Sequence, residues 1–149
     1  RKRLAASGCF ERIAPFATDV VVTSLGVNDV TGDVGVERFL RRQATLRTLL
    51  RERFGARLIV VSGLPPMHHF PALPQPLRWY LGERARELDR ALASVLPDGR
   101  GAEHLPFDGD VDAANMAPDG FHPGPAVYEA WSEAAAATIA DRLAGVVTN

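Results

Sequence analysis

Asp19-Val20-Val21-Val22-Thr23-Ser24-Leu25-Gly26-Val27-Asn28-Asp29 is the stretch on which the reading of this chain turns. Three valines and a threonine in a row favour extended backbone, because β-branched side chains fit a pleated surface better than a helix. Residues 19–25 lack the in-out alternation of a half-solvated strand. They therefore read as a buried parallel strand, apolar on both faces and ended by Gly26. Working outward, Val36, Phe39, Leu40, Leu46, Leu49, Leu50 and Phe54 recur at helical spacing with Arg and Glu between them. Gly55 supplies the stop, which predicts a helix of about five turns. Residues 57–63, Arg-Leu-Ile-Val-Val-Ser-Gly, form a second strand. Strand, helix and strand make a βαβ unit, expected to be a right-handed parallel crossover.

Beyond Gly63 lie Pro65, Pro66, Pro71, Pro74 and Pro76, five prolines in twelve residues. Proline donates no backbone hydrogen bond and clashes inside a helix, so this is a stiffened, extended loop. Leu77, Leu81, Ala85, Leu88, Leu92 and Val95 mark a second amphipathic helix that stops at Pro97-Asp98-Gly99. A short third strand is expected over 103–107, then a polar loop over 108–119. A last helix, about 125–143, presents Tyr128, Trp131, Ala135, Ile139 and Leu143. Alternating strands and helices predict an α/β fold, a parallel flavodoxin-like sheet covered by helices on both faces in a three-layer α/β/α sandwich. In such sheets ligands sit beyond the carboxyl ends of the strands, which directs attention to the loops after Gly26, Gly63 and residue 107.

The 149 residues suit a single domain, with no repeat or linker. A net charge of -1 argues against a nucleic-acid partner, which would need positive charge gathered on one face. No apolar run approaches the roughly 20 residues of a membrane helix. The single cysteine, Cys9, excludes an internal disulfide and a multi-cysteine zinc site, and reads as a packed structural thiol. That usage fits the cytoplasm. Export stays open, because Arg1-Lys2-Arg3 carries no initiator Met and reads as the interior of something longer.

Two motifs lie in the loops so marked. In Gly26-Val27-Asn28-Asp29, glycine allows a tight turn or close approach to a ligand, and Asn28 offers an amide donor at the strand mouth. A plain βα turn in which Asn28 or Asp29 caps backbone accounts for the same residues. In Asp119-Gly120-Phe121-His122-Pro123 the carboxylate, three residues before the histidine, can reach one imidazole nitrogen and leave the other free as a base. The plainer alternative is a capping Asp119 beside an incidental loop histidine. Taken together, Gly-x-Asn-Asp after a buried strand and Asp-x-x-His before a terminal helix resemble the SGNH (GDSL-type) hydrolases, and the resemblance spans residues 19–143.

That resemblance implies a serine ester hydrolase of the lipase and esterase type, with no metal or organic cofactor. Its substrate would be a small-molecule ester: an acyl ester, a lipid or an acetylated sugar. Carried over by resemblance, Asn28 would donate to an oxyanion, His122 would be the general base and Asp119 would orient it. The same resemblance exposes a gap. No Gly-Asp-Ser carrying the nucleophile occurs in these residues, and Ser7-Gly8, the one upstream candidate for the family's oxyanion glycine, lies too close to Gly26. Residues 1–16 read as the tail of a helix ahead of the Asn-bearing strand. A strand-helix-strand unit, roughly 30 residues or more, is therefore expected to be missing at the amino terminus. Ser24 and Ser62 lie in strands, and Ser94 and Ser132 in helices, so none occupies the turn that exposes a nucleophile. The alternative function is a binding or interaction domain of the same fold that has lost its nucleophile.

Smaller expectations complete the reading. Met67, His68 and Phe70 are candidates for a substrate loop, and with Trp79 and Tyr80 for an apolar acyl pocket, packing roles being the alternative. Phe121 either shields the base or plugs the core. Asp29 is a turn or capping residue, and Arg38, Arg41 and Arg42 form the solvated side of a helix.

Overall fold

The computed structural model describes residues 13–107 and 112–147. Cys9 and Ser7-Gly8 lie outside the described residues, as does part of the polar loop before Asp119. Three parallel strands, β1 (Val20–Thr23), β2 (Leu58–Ser62) and β3 (Ala102–Leu105), pair in the order β1-β2-β3. Val20 stands opposite Leu58 and Thr23 opposite Val61, while Ile59 faces Ala102 and Ser62 faces Leu105. Helices α1 (Val27–Thr31), α2 (Val36–Phe54), α3 (Leu77–Ser94) and α4 (Pro125–Val147) connect and cover the strands. Short 3₁₀ turns lie at Met67–His69 and Ala113–Asn115.

β2 is buried along its whole length, and the two-residue period of a strand divides it between two cores. Ile59 and Val61 pack with Phe39, Leu46 and Leu50 of α2 and Leu81, Ala85, Leu88 and Leu92 of α3. Leu58 and Val60 pack on the opposite face with Ala135, Trp131 and Ile139 of α4. Burying side chains of this size stabilises by about 1.5–3 kcal/mol each, so the central strand anchors both helical layers. On the α4 face Trp131 Nε1–H donates to the buried Ser62 Oγ at 2.9 Å, which gives both polar groups a partner. The three-layer α/β/α arrangement with a parallel sheet is the one the alternation of strands and helices predicted.

Three details differ from the sequence reading. β1 is shorter than 19–25, leaving Ser24 exposed just past its end. It is also an edge strand: Val22 keeps 37% of its surface exposed, because β2 is its only neighbour among the described residues. Finally, the presumed turn after Gly26 contains α1, a helical turn too short to show any apolar period.

The end of the sheet remote from the strand-end loops is held by ion pairs. Arg47, nearly buried on α2, and Arg51 reach Asp98 at 3.5 and 2.7 Å. Burial works against the Asp98 charge. Hydrogen bonds from Arg51 and from the Arg100 and Ala102 N–H groups outweigh it and hold the carboxyl below its usual range.

Candidate active site

The loops leaving the carboxyl ends of the strands are built on one shared core. Gly26 adopts φ 136°, and a Cβ there would lie 2.5 Å from Leu64 Cδ2 and 3.3 Å from Phe39 Cε2. Only glycine meets both conditions. Its carbonyl accepts the Asp29 and Val30 N–H groups and so starts α1. Asn28 stands exposed in that turn, and no hydrogen bond among the described residues engages its side-chain amide. Asp29 is half-buried and pairs with Arg42, so it staples α1 to α2. Arg38, Arg41 and Arg42 line the solvated side of α2, as read from the sequence.

Asp119 and His122 meet directly. Asp119 Oδ1 accepts the Phe121 and His122 N–H groups, both at 3.0 Å, and closes an Asx-type turn rather than a helical one. Gly120 at φ 65° makes that turn possible, and Pro123 follows it. The second oxygen, Oδ2, lies 2.5 Å from His122 Nδ1. A carboxylate can only accept, so this contact places the imidazole proton on Nδ1 and leaves the Nε2 lone pair free. The hydrogen bond from the His122 N–H, that from its ring and that from the Phe121 N–H together hold the Asp119 carboxyl well below the usual carboxylate range. The His122 side chain keeps 68% of its surface exposed, so its free nitrogen faces open space. No hydrogen bond joins Asn28 to this dyad; α1 and the turn are related through the core, against which Val27 and Phe121 both pack.

The proline-rich loop is the floor of the turn. Phe70 meets Phe121 edge-on with ring centroids 5.4 Å apart, and Phe121 in turn meets the His122 ring at 5.6 Å. The Ala72 N–H donates to Gly120 O at 3.1 Å. A Cβ on Gly120 would approach Ala72 N to 3.0 Å, so the two backbones touch. Met67 and Phe70, candidates for a substrate loop, are 0% and 2% exposed and belong to the hydrophobic core. His68 is half-buried as well, packed against Gly82, with Arg86 Nη2 donating to its Nε2 at 3.0 Å. Burial, helped by neighbouring His69 and Arg86, pushes its pKa down. Trp79 and Tyr80, read as pocket or core residues, are exposed; Tyr80 O–H donates to Asp33 at 2.8 Å.

Sequence reasoning passed over two supporting groups. Asp89 Oδ1 accepts the Leu64 N–H at 2.9 Å and lies 3.1 Å from His104 Nε2, so it fixes the residue that packs on Gly26. Arg78, at the start of α3, donates from Nε to Leu73 O at 2.6 Å and from Nη2 to Pro71 O at 3.3 Å. Its signal was present: a proline-rich loop leaves carbonyls without ladder partners, and an arginine just beyond it is a natural donor.

A parallel α/β/α sandwich with an Asp-x-x-His turn ahead of its last helix defines a hydrolase of the SGNH class. The chain belongs to the GDSL-like Lipase/Acylhydrolase family, which matches residues 2–130, most of its length. Membership makes it a hydrolase in general terms and implies small-molecule ester substrates. No curated protein matches the chain. No helix among the described residues is long and apolar enough to cross a membrane.

Proposed function

We propose that these residues carry the base, its orienting acid and one oxyanion donor of a serine esterase that works through an acyl-enzyme. The observation that carries this reading is the 2.5 Å contact between Asp119 Oδ2 and His122 Nδ1, with the other ring nitrogen turned outward. In the reaction a serine Oγ attacks the ester carbonyl carbon while His122 Nε2 takes its proton. The tetrahedral oxyanion accepts a hydrogen bond from Asn28 Nδ2, whose side chain has no competing partner among the described residues. Collapse breaks the bond to the alcohol, which leaves with the proton from His122. Water then repeats the sequence on the acyl-enzyme and releases the acid. Asp119 remains ionised throughout and holds the Nδ1–H tautomer. Acyl esters, lipids and acetylated sugars all present the required carbonyl.

The nucleophile on this reading precedes Arg1, in a strand-helix-strand unit that completes a single SGNH domain with residues 1–149. Among the described residues β1 pairs with β2 alone, which supports the assignment. An edge strand of consecutive valines with Val22 and Leu25 exposed is a pairing surface, and a further strand there would bury it. Asn28→Ala, made in the protein that includes the preceding residues, is expected to lower kcat on a short-chain chromogenic ester by about 10²–10³ with little change in KM. A change of less than threefold removes Asn28 from the oxyanion site.

A further inference from the structure

We propose that Arg78 is a positioning residue for His122, acting through the backbone of the proline-rich loop; the proposal rests on the hydrolase reading above. The connection is continuous and made of main-chain contacts. The Arg78 guanidinium spans two carbonyls, Leu73 O at 2.6 Å and Pro71 O at 3.3 Å, which flank Ala72 on either side. The Ala72 N–H between them donates to Gly120 O at 3.1 Å. Gly120 belongs to the same turn as Asp119 and His122, and Asp119 Oδ1 closes that turn on the His122 N–H. A shift of the loop at residues 71–73 therefore moves the turn that carries the base.

The turn has few other restraints. Asp119 and His122 have their side chains mostly in solvent. The Asp119–His122 contact fixes the two groups to each other without fixing either to the sheet. Further contacts tie the turn down: the Phe70–Phe121 edge, the Met116–Pro123 bridge with the Ala117 N–H donating to His122 O at 2.8 Å, the Gly120 N–H donating to Ala117 O at 2.8 Å, and the Ala72–Gly120 hydrogen bond. The last is the one Arg78 controls. Prolines at 71 and 74 stiffen the loop but leave its carbonyls unpaired in any ladder, and a planar fork of donors suits two carbonyls two residues apart. A lysine ammonium is a single point donor and cannot reproduce that span.

The test uses the protein that includes the residues preceding Arg1, with Arg78→Lys, Ala72→Pro, the double variant and His122→Ala assayed together on a short-chain chromogenic ester. Ala72→Pro deletes the N–H at the other end of the relay without touching Arg78. Each single variant is expected to lower kcat by about 10- to 100-fold with KM within twofold, since misplacing a base by about 1 Å costs that much. The double variant should lose no more than the worse single one, because both break the same relay. Methylguanidine added to Arg78→Ala should restore part of kcat, which a residue needed only for folding would not show. Three results would each overturn the proposal: kcat within threefold of the parent in either folded single variant, multiplicative losses in the double variant, or a rise in KM alone. If a variant fails to fold, the remaining single variant and the guanidine rescue decide the matter by the same criteria. Unchanged turnover in His122→Ala overturns the hydrolase reading itself. Lost turnover there with parent-like Arg78→Lys overturns only the role of Arg78.

Discussion

His122→Ala is expected to lower ester turnover by about 10⁴–10⁶ in the protein that includes the residues preceding Arg1, leaving only what binding and oxyanion stabilisation supply. The size of the effect follows from the geometry. The imidazole is the only titratable ring in the Asp119–His122 turn, and its Nδ1 is already committed to Asp119 Oδ2 at 2.5 Å. Nε2 is thus the one basic atom the turn presents to a serine hydroxyl, and alanine removes it entirely. The side chain is mostly exposed and its ring meets Phe121 edge-on, so the fold should survive. Steady-state kinetics with the circular dichroism spectrum as a fold control check this. A loss smaller than about 10-fold contradicts it.

Asp119→Asn should cost nearly as much, about 10⁴ in kcat, although it changes a single atom. Oδ1 receives two backbone N–H groups and must remain an oxygen for the turn to close. The amide nitrogen then takes the place of Oδ2, beside His122 Nδ1. There it donates where the carboxylate accepted, which drives the imidazole proton to Nε2, the nitrogen required to be free. The turn persists with the wrong tautomer. An unchanged thermal midpoint with collapsed kcat is the expected signature. A parent-like kcat would show that Asp119 only closes the turn, and the structure would then hold a capping aspartate beside a loop histidine.

The fold was readable where a single local pattern decided the outcome. Helix α2 occupies Val36–Phe54, between the first periodic apolar residue and the left-handed Gly55, because periodicity and stop signal agree. The three strands fall within one or two residues of their apolar runs, and β1 is shorter because only Val20–Thr23 find partners on β2. What escaped the sequence depends on contacts between distant segments. Met67 and Phe70 lie among prolines and read as candidates for a substrate loop, yet both are buried in the shared core. Trp79 and Tyr80 read as acyl-pocket or packing residues and lie exposed, since Leu81, Ala85 and Leu88 already take the inward face of α3. The Asp119–His122 contact was legible from spacing three apart, whereas Ala72 and Gly120 meet across 47 intervening positions and no local pattern announces them.

The central claim is that His122 serves a serine lying before residue 1. Its most direct measurement is labelling with a fluorophosphonate probe, followed by digestion and mass spectrometry, on the protein that includes the preceding residues. The account predicts one labelled serine upstream of Arg1, no label on Ser24, Ser62, Ser94 or Ser132, and labelling abolished in His122→Ala. A protein that takes no label, or takes it equally well without His122, contradicts the account and leaves a binding domain on a hydrolase scaffold.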